Sequence, residues 1–209
     1  MQAQYWRERK MSHGRAPHIV VLAGPNGAGK STTGPALLRD TLRITEFVDA
    51  DTIARGLSAF EPEGVALQAG KVMLRRIREL ARQRANFAFE TTMASRTFAP
   101  WLAELKEEGY RVHIIFLWLP SADFAVGRVV DRVRMGGHSV PENVVRRRYG
   151  AGLRNFFEMY RPLAETWRVY DNSRPSGPQL IAWGRGTITA GVADKRIWKR
   201  ILEEFGYEK

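Results

Sequence analysis

At 209 residues, 44% of them hydrophobic, the chain is long enough to bury a full core as one unit. It has no cysteine, which excludes a disulfide framework, a thiol nucleophile and a cysteine zinc site, and its four histidines are too dispersed for a histidine metal cluster. A formal charge of +11 calls for a polyanionic partner or a strongly anionic substrate, and with no long apolar run and no signal-peptide pattern the expected setting is the cytoplasm, away from any membrane.

Met1 to Pro17 is basic and aperiodic and reads as a flexible tail, with a single domain expected over residues 18–209. His18 to Ala23 is an apolar strand that runs directly into Gly24-Pro25-Asn26-Gly27-Ala28-Gly29-Lys30-Ser31. This octapeptide satisfies G-x-x-x-x-G-K-[ST] at every specified position, between a strand and the helix-compatible Ser31 to Arg39. Glycines let such a loop fold tightly over a phosphate chain with its N–H groups pointing inward. Gly24 through Thr32 are therefore the candidate ATP-binding residues, with Lys30 set for the β- and γ-phosphates and Ser31 for Mg2+.

A second strand, Glu46 to Asp49, leads through Asp51 into a short helix. Either aspartate could face the transferred phosphate, and Asp51 also suits an N-cap. The arginines from Arg75 to Arg84 read as the solvated face of a helix. A third strand, Asn86 to Glu90, ends in a carboxylate, which seldom serves packing because its ionised form resists burial without partners. The fourth, Arg111 to Leu119, ends with no acidic residue, so the magnesium-directing aspartate of motor and switch ATPases is missing there and a small kinase is favoured. Trp167 to Asp171 is a fifth strand, and Leu180 to Gly184 suits a sixth.

Strands alternating with amphipathic helices imply a three-layer α/β/α fold around a central, mainly parallel sheet of five or six strands, with the ligand outside the strands' carboxyl ends. Residues 128–148 have the pattern of an arginine-rich helical lid. Val126, Val129, Val130 and Val133 are expected to form its inward stripe, and Arg128 and Arg132 share another face. Gly136-Gly137-His138 breaks the helix, and Ser139-x-x-Glu142 is a capping-box pattern that restarts it. Arg146, Arg147 and Arg148 then fan over about half a turn, so at least one should point into the cleft. Residues 184–191 suggest a turn or short hairpin, and Trp198, Ile201, Leu202 and Phe205 recur at helical spacing, as in a terminal helix docked on the core.

Taken together, GPNGAGKST, FVDADTIARGL, FETTMAS, RVxxRVxxGGHSVPENVVRRRY and VYDNS make the chain similar to the zeta-toxin family of P-loop kinases, in a compact bacterial form, from about Ile19 to about Ser173. The resemblance implies a fold like that of nucleotide kinases and transfer of phosphate from ATP, with Mg2+, to the 3′-hydroxyl of UDP-N-acetylglucosamine. By position, Lys30 would hold the ATP phosphates, Ser31 the metal, and Asp51 would be the general base. Glu90 and Thr92 would bind the sugar nucleotide, and Arg128 would be a lid arginine on the phosphates. Where the family has a second lid arginine this chain has His138, so Arg132, Arg134 or one of Arg146 to Arg148 would substitute; Arg132 joins the catalytic candidates, and Arg134 and His138 the acceptor-side ones. The expected partners are a small anionic substrate such as a nucleotide sugar and an antitoxin protein. The alternative, drawn from the charge, is a nucleic-acid-binding ATPase or polynucleotide kinase.

Overall fold

A computed structural model gives the fold and describes residues 16–35, 38, 44–137 and 139–205. Seven strands form one sheet: β1 (His18–Ala23), β2 (Glu46–Val48), β3 (Phe87–Thr91), β4 (Arg111–Trp118), β5 (Thr166–Asp171), β6 (Gln179–Arg185) and β7 (Ile188–Val192), in the order β2-β3-β1-β4-β5-β6-β7. The first five pair in parallel and the last two add antiparallel. The helices are α1 (Lys30–Pro35), α2 (Ala50–Leu57), α3 (Ala66–Arg82), α4 (Phe98–Glu107), α5 (Ala122–Arg134), α6 (Glu142–Asn155) and α7 (Lys195–Glu204). Most of the tail expected over residues 1–17, the second half of the helix expected to Arg39, and His138 lie outside the described residues.

The parallel strands read as continuous apolar runs because helices cover both faces. From β1 the chain moves one way to reach β2 and the other way to reach β3, β4 and β5, so right-handed crossovers put the first connection opposite the later ones. That reversal opens the crevice at the carboxyl end of β1. All of β4 from Val112 onward is buried, along with five of the six residues of β1.

The sheet has seven strands where five or six were expected. The difference is the hairpin: residues 184–191, read as a turn or hairpin, are the junction of β6 and β7, and Gly186 at φ 48° makes the turn. The terminal helix docks as expected, with Trp198 and Ile201 buried and Leu202 and Phe205 packed partly against the core. Trp198 stacks on Trp167 of β5 at 5.8 Å between ring centroids.

Two sequence expectations in the lid are corrected. Val129 is buried together with Ala125, one turn earlier, and Val126 packs partly against the core, but Val130 and Val133 are 42% and 40% exposed, so the inward stripe is narrower than expected. The start of α6 also differs: its N-cap is Pro141, with no side-chain capping bond, and not the expected Ser139.

At the opposite end of the sheet from the crevice, His18 Nδ1 and His113 Nε2 lie 2.8 Å apart, and His113 Nδ1 lies 2.8 Å from Thr166 Oγ1. Burial, reinforced by His18, Arg111 and Arg185, lowers the His113 pKa to about 3. The native imidazole therefore stays neutral through a range in which the unfolded chain, titrating near pH 6.5, takes up a proton. Stability should fall as pH drops from 6.5, by up to about 1.4 kcal/mol per pH unit from this group. His113→Gln should show a shallower loss between pH 6.5 and 5, above most carboxylate titrations. Urea unfolding across that window tests it, and parallel stability curves for the two proteins would remove His113 from the account.

Candidate functional site

The loop between β1 and α1 begins with Gly24 at φ 141°, where a side chain would collide with the Leu117 carbonyl of β4. Gly29, at φ 78°, passes so close to Asn172 that a Cβ would sit 2.7 Å from its Nδ2. The first backbone bonds of the helix run from the N–H groups of Thr32 and Thr33 to Gly29 O, which leaves the N–H groups of Gly29, Lys30 and Ser31 ahead of the helical ladder, as at any helix start. Lys30 is buried and folds back, donating from Nζ to Gly24 O and Pro25 O at 2.9 Å each.

The carboxylate facing this loop comes from β3. The sheet order puts β3 beside β1 with Glu90 in register with Leu22, one residue short of the end of β1. Glu90 Oε2 accepts from Ser31 Oγ at 3.1 Å, and Oε1 lies 3.5 Å from Lys30 Nζ, with only 11% of the side chain exposed. Burial raises the Glu90 pKa above the usual carboxylate range, the Lys30 ammonium opposes this, and Asp49 and Asp51 push it further up. Three carboxylates thus share one electrostatic neighbourhood with one lysine.

The two aspartates divide their work. Asp49 leaves β2 in extended conformation and caps α2, accepting from the N–H groups of Asp51 and Thr52 at 3.1 Å and from Thr52 Oγ1 at 2.7 Å. The N-cap suggested for Asp51 therefore belongs to Asp49. Asp51, in the first turn of α2, is partly exposed, and its charge is felt at Glu90.

The end of β5 braces the phosphate loop. Asn172 is buried, and its Nδ2 donates to Ala28 O at 2.7 Å. Its own carbonyl, and that of Ser173, accept from Arg128 Nη2 at 3.1 and 2.8 Å. Arg128 also lies over the Phe124 ring. Of the other lid arginines, Arg134 pairs with Asp131 on the surface, and Arg146 pairs with Asp123 and Glu142. Arg132 lays its stem against the Gly137 turn. Arg148 is half-buried and donates from Nη1 to Asn26 Oδ1 in the phosphate loop at 3.4 Å. Burial and Arg147 lower its pKa, and Asp51 opposes them.

Thr92 begins the loop after β3. Its Oγ1 accepts from Ala94 N–H at 3.5 Å. Met93, buried, sits at φ 55°, a left-handed conformation held from outside by α6: Asn155 Nδ2 donates to Met93 O at 2.8 Å and to Ala94 O at 3.2 Å. Gly152 passes directly against the Thr92 carbonyl, and Tyr149 OH donates to Leu119 O at 2.8 Å.

The structure thus brings Lys30, Ser31 and Glu90 into contact, joins Arg148 to Asn26 of the phosphate loop, and leaves Arg134 on the outer surface. Asn172 and Asn155 were missed in the sequence, although VYDNS supplied the signal for the first. The site fits a nucleotide phosphate chain with its Mg2+: the glycine loop is open to backbone N–H donation, and a hydroxyl and a carboxylate stand side by side at its end. Among the described residues, no group of three or more metal-ligating side chains would hold an ion without such a phosphate, and no helix is long and apolar enough to cross a membrane.

A sequence model of the family described as Zeta toxin matches residues 3–176. A Haemophilus influenzae relative described as an uncharacterized protein is 27% identical over 130 residues, 62% of this chain and 91% of its own length. Among solved structures, a crystal structure of AvrRxo1-ORF1:-ORF2 with ATP matches at TM-score 0.69 and 18% identity, over 96% of this chain and 69% of that one. A structure from the PezAT chromosomal toxin-antitoxin system of Streptococcus pneumoniae matches at TM-score 0.63 and 15% identity, over 98% and 91%. At these identities the two structures speak to the fold.

The Asn172 bond gives a direct test of how the loop is held. Asn172→Ala leaves the buried Ala28 carbonyl without its donor and should cost about 1–3 kcal/mol. Asn172→Asp, which sets an acceptor against that carbonyl, should cost more. Urea midpoints of the two variants decide the matter: an aspartate variant as stable as the alanine one would mean that packing, and not the hydrogen bond, braces the loop.

Proposed function

Because this chain belongs to the zeta-toxin family, we propose that it is an ATP-dependent kinase that transfers the γ-phosphoryl group of ATP to a hydroxyl of a small anionic acceptor, a nucleotide sugar such as UDP-N-acetylglucosamine. The observation that carries this reading is the meeting of Lys30, Ser31 and Glu90 at the end of β1, beside an aspartate that capping leaves available. Phosphoryl transfer relies mainly on positioning and charge neutralisation, with a base that takes the acceptor proton late. Lys30 supplies fixed positive charge in a buried setting, where it acts more strongly than in water. Ser31, with Glu90 bonded to its hydroxyl, would hold the metal ion. Bound Mg2+ would draw charge from the phosphate oxygens as the phosphoryl group moves.

Asp51 is the base in this reading. It stands at the first turn of α2, electrostatically coupled to Glu90 on one side and Arg148 on the other. Thr92, directly after β3, and Glu90 serve the acceptor side in this reading. A nucleotide sugar suits the site because it offers a ring hydroxyl for transfer and a diphosphate for the chain's positive charge. Likeness to a structure from a toxin-antitoxin system supports a protein partner that controls the activity.

The test is phosphotransfer followed by mass spectrometry, with ATP and Mg2+ offered alongside nucleotide sugars, nucleosides and short RNAs. One phosphate added to one small acceptor is expected. Asp51→Asn should lower kcat by roughly 10²- to 10⁴-fold with ATP affinity kept, while Lys30→Ala should weaken both ATP binding and turnover. Transfer to RNA, or ATP hydrolysis with no acceptor modified, would overturn the nucleotide-sugar reading.

A further inference from the structure

Resting on the kinase reading above, the geometry points to Arg148 as the lid arginine that faces the transferred phosphoryl group, in the part expected for Arg128. An arginine that neutralises charge on a moving phosphate must present its guanidinium to the phosphate loop and must not be committed elsewhere. Arg128 fails the second condition, because its Nη2 is held by two backbone carbonyls, Asn172 O and Ser173 O. Arg146 and Arg134 are engaged by Asp123, Glu142 and Asp131.

Arg148 meets both conditions. It projects from α6, whose next residue is anchored by the Tyr149 hydroxyl to Leu119 O, so its base cannot drift from the carboxyl end of β4. Its guanidinium reaches Asn26, the third residue of the phosphate loop, through one long bond from Nη1 at 3.4 Å, which a phosphate oxygen could replace at little cost. Asp51 lies near enough to oppose the effect of burial on it. In the step itself the acceptor oxygen forms a bond to the γ-phosphorus as the bond to the bridging oxygen of ADP breaks. The electron pair of the broken bond stays with ADP, and the acceptor proton goes to Asp51. Arg148 carries no proton in this exchange; it offsets the negative charge spread over the equatorial oxygens.

The experiment compares binding of ADP with binding of ADP plus aluminium fluoride and Mg2+, a mimic of the phosphoryl group in flight, by isothermal titration calorimetry, and measures kcat and KM in parallel. The native protein should bind the mimic more tightly than ADP. Arg148→Gln should lose that gain and roughly 10³-fold in kcat, with ADP affinity and melting temperature close to native, and Arg148→Lys should recover part of both. Arg128→Gln should instead lower melting temperature and weaken ADP and mimic together. If Arg148→Gln keeps the native gain, or loses ADP and mimic affinity equally, the assignment falls while the kinase reading stands. If Arg148→Gln does not fold, Arg148→Lys carries the same comparison, and full native gain and kcat in it would also overturn the assignment. No gain in the native protein would remove both readings.

Discussion

A loop that presents its backbone N–H groups to phosphate cannot use them to hold itself together, so its shape has to be imposed by neighbours. Here three elements impose it. The Leu117 carbonyl of β4 leaves no room for a side chain at residue 24, Asn172 at the end of β5 bonds to Ala28 O, and Lys30 ties Gly24 and Pro25 from within. Arg128 then fixes the residue that does the bracing, by holding the carbonyl of Asn172. The sheet order, the placement of Glu90 and the packing of the lid all have to be compatible with this clasp.

The strands were legible because each is a short apolar run between turn residues, and parallel strands buried on both faces carry that signature strongly. The phosphate loop was legible because its chemistry needs particular residues at fixed spacing. Order across the sheet is a different matter, since no local pattern says that β3 lies beside β1. Nor does any local pattern say that Glu90, on the far side of β1 from β4, meets Lys30 and Ser31. The capping role of Asp49 was equally hidden, because two aspartates two residues apart satisfy the same local preference and only the chain's exit angle from β2 separates them. Val130 and Val133 misled for a simpler reason: α5 packs through one narrow line, and β-branched residues beside that line stay in water.

The positive charge also has a different meaning from the one composition suggests. Several arginines are bonded to backbone carbonyls: Arg84 to Glu108 O and Arg200 to Pro120 O on the surface, and the partly buried Arg128 to Asn172 O and Ser173 O and Arg161 to Gly186 O. A guanidinium serves here because it offers five donors in a rigid fork and can donate to carbonyl oxygens outside the helices and strands. Arg128 and Arg161 thus add to the +11 total while their guanidinium groups are turned toward the protein's own carbonyls.

Helix α6 joins the two sides of the cleft. It carries Arg148 toward the phosphate loop, and four residues further on it begins to grip the loop after β3, with Gly152 against the Thr92 carbonyl and Asn155 bonded to Met93 and Ala94. The consequence is kinematic. A lid that swung open as an independent flap would have to break a strained turn out of its left-handed conformation and strip Asn155 of both acceptors. A shift of α6 would therefore drag the loop after β3 along with it, so that the two walls of the crevice are mechanically geared to each other.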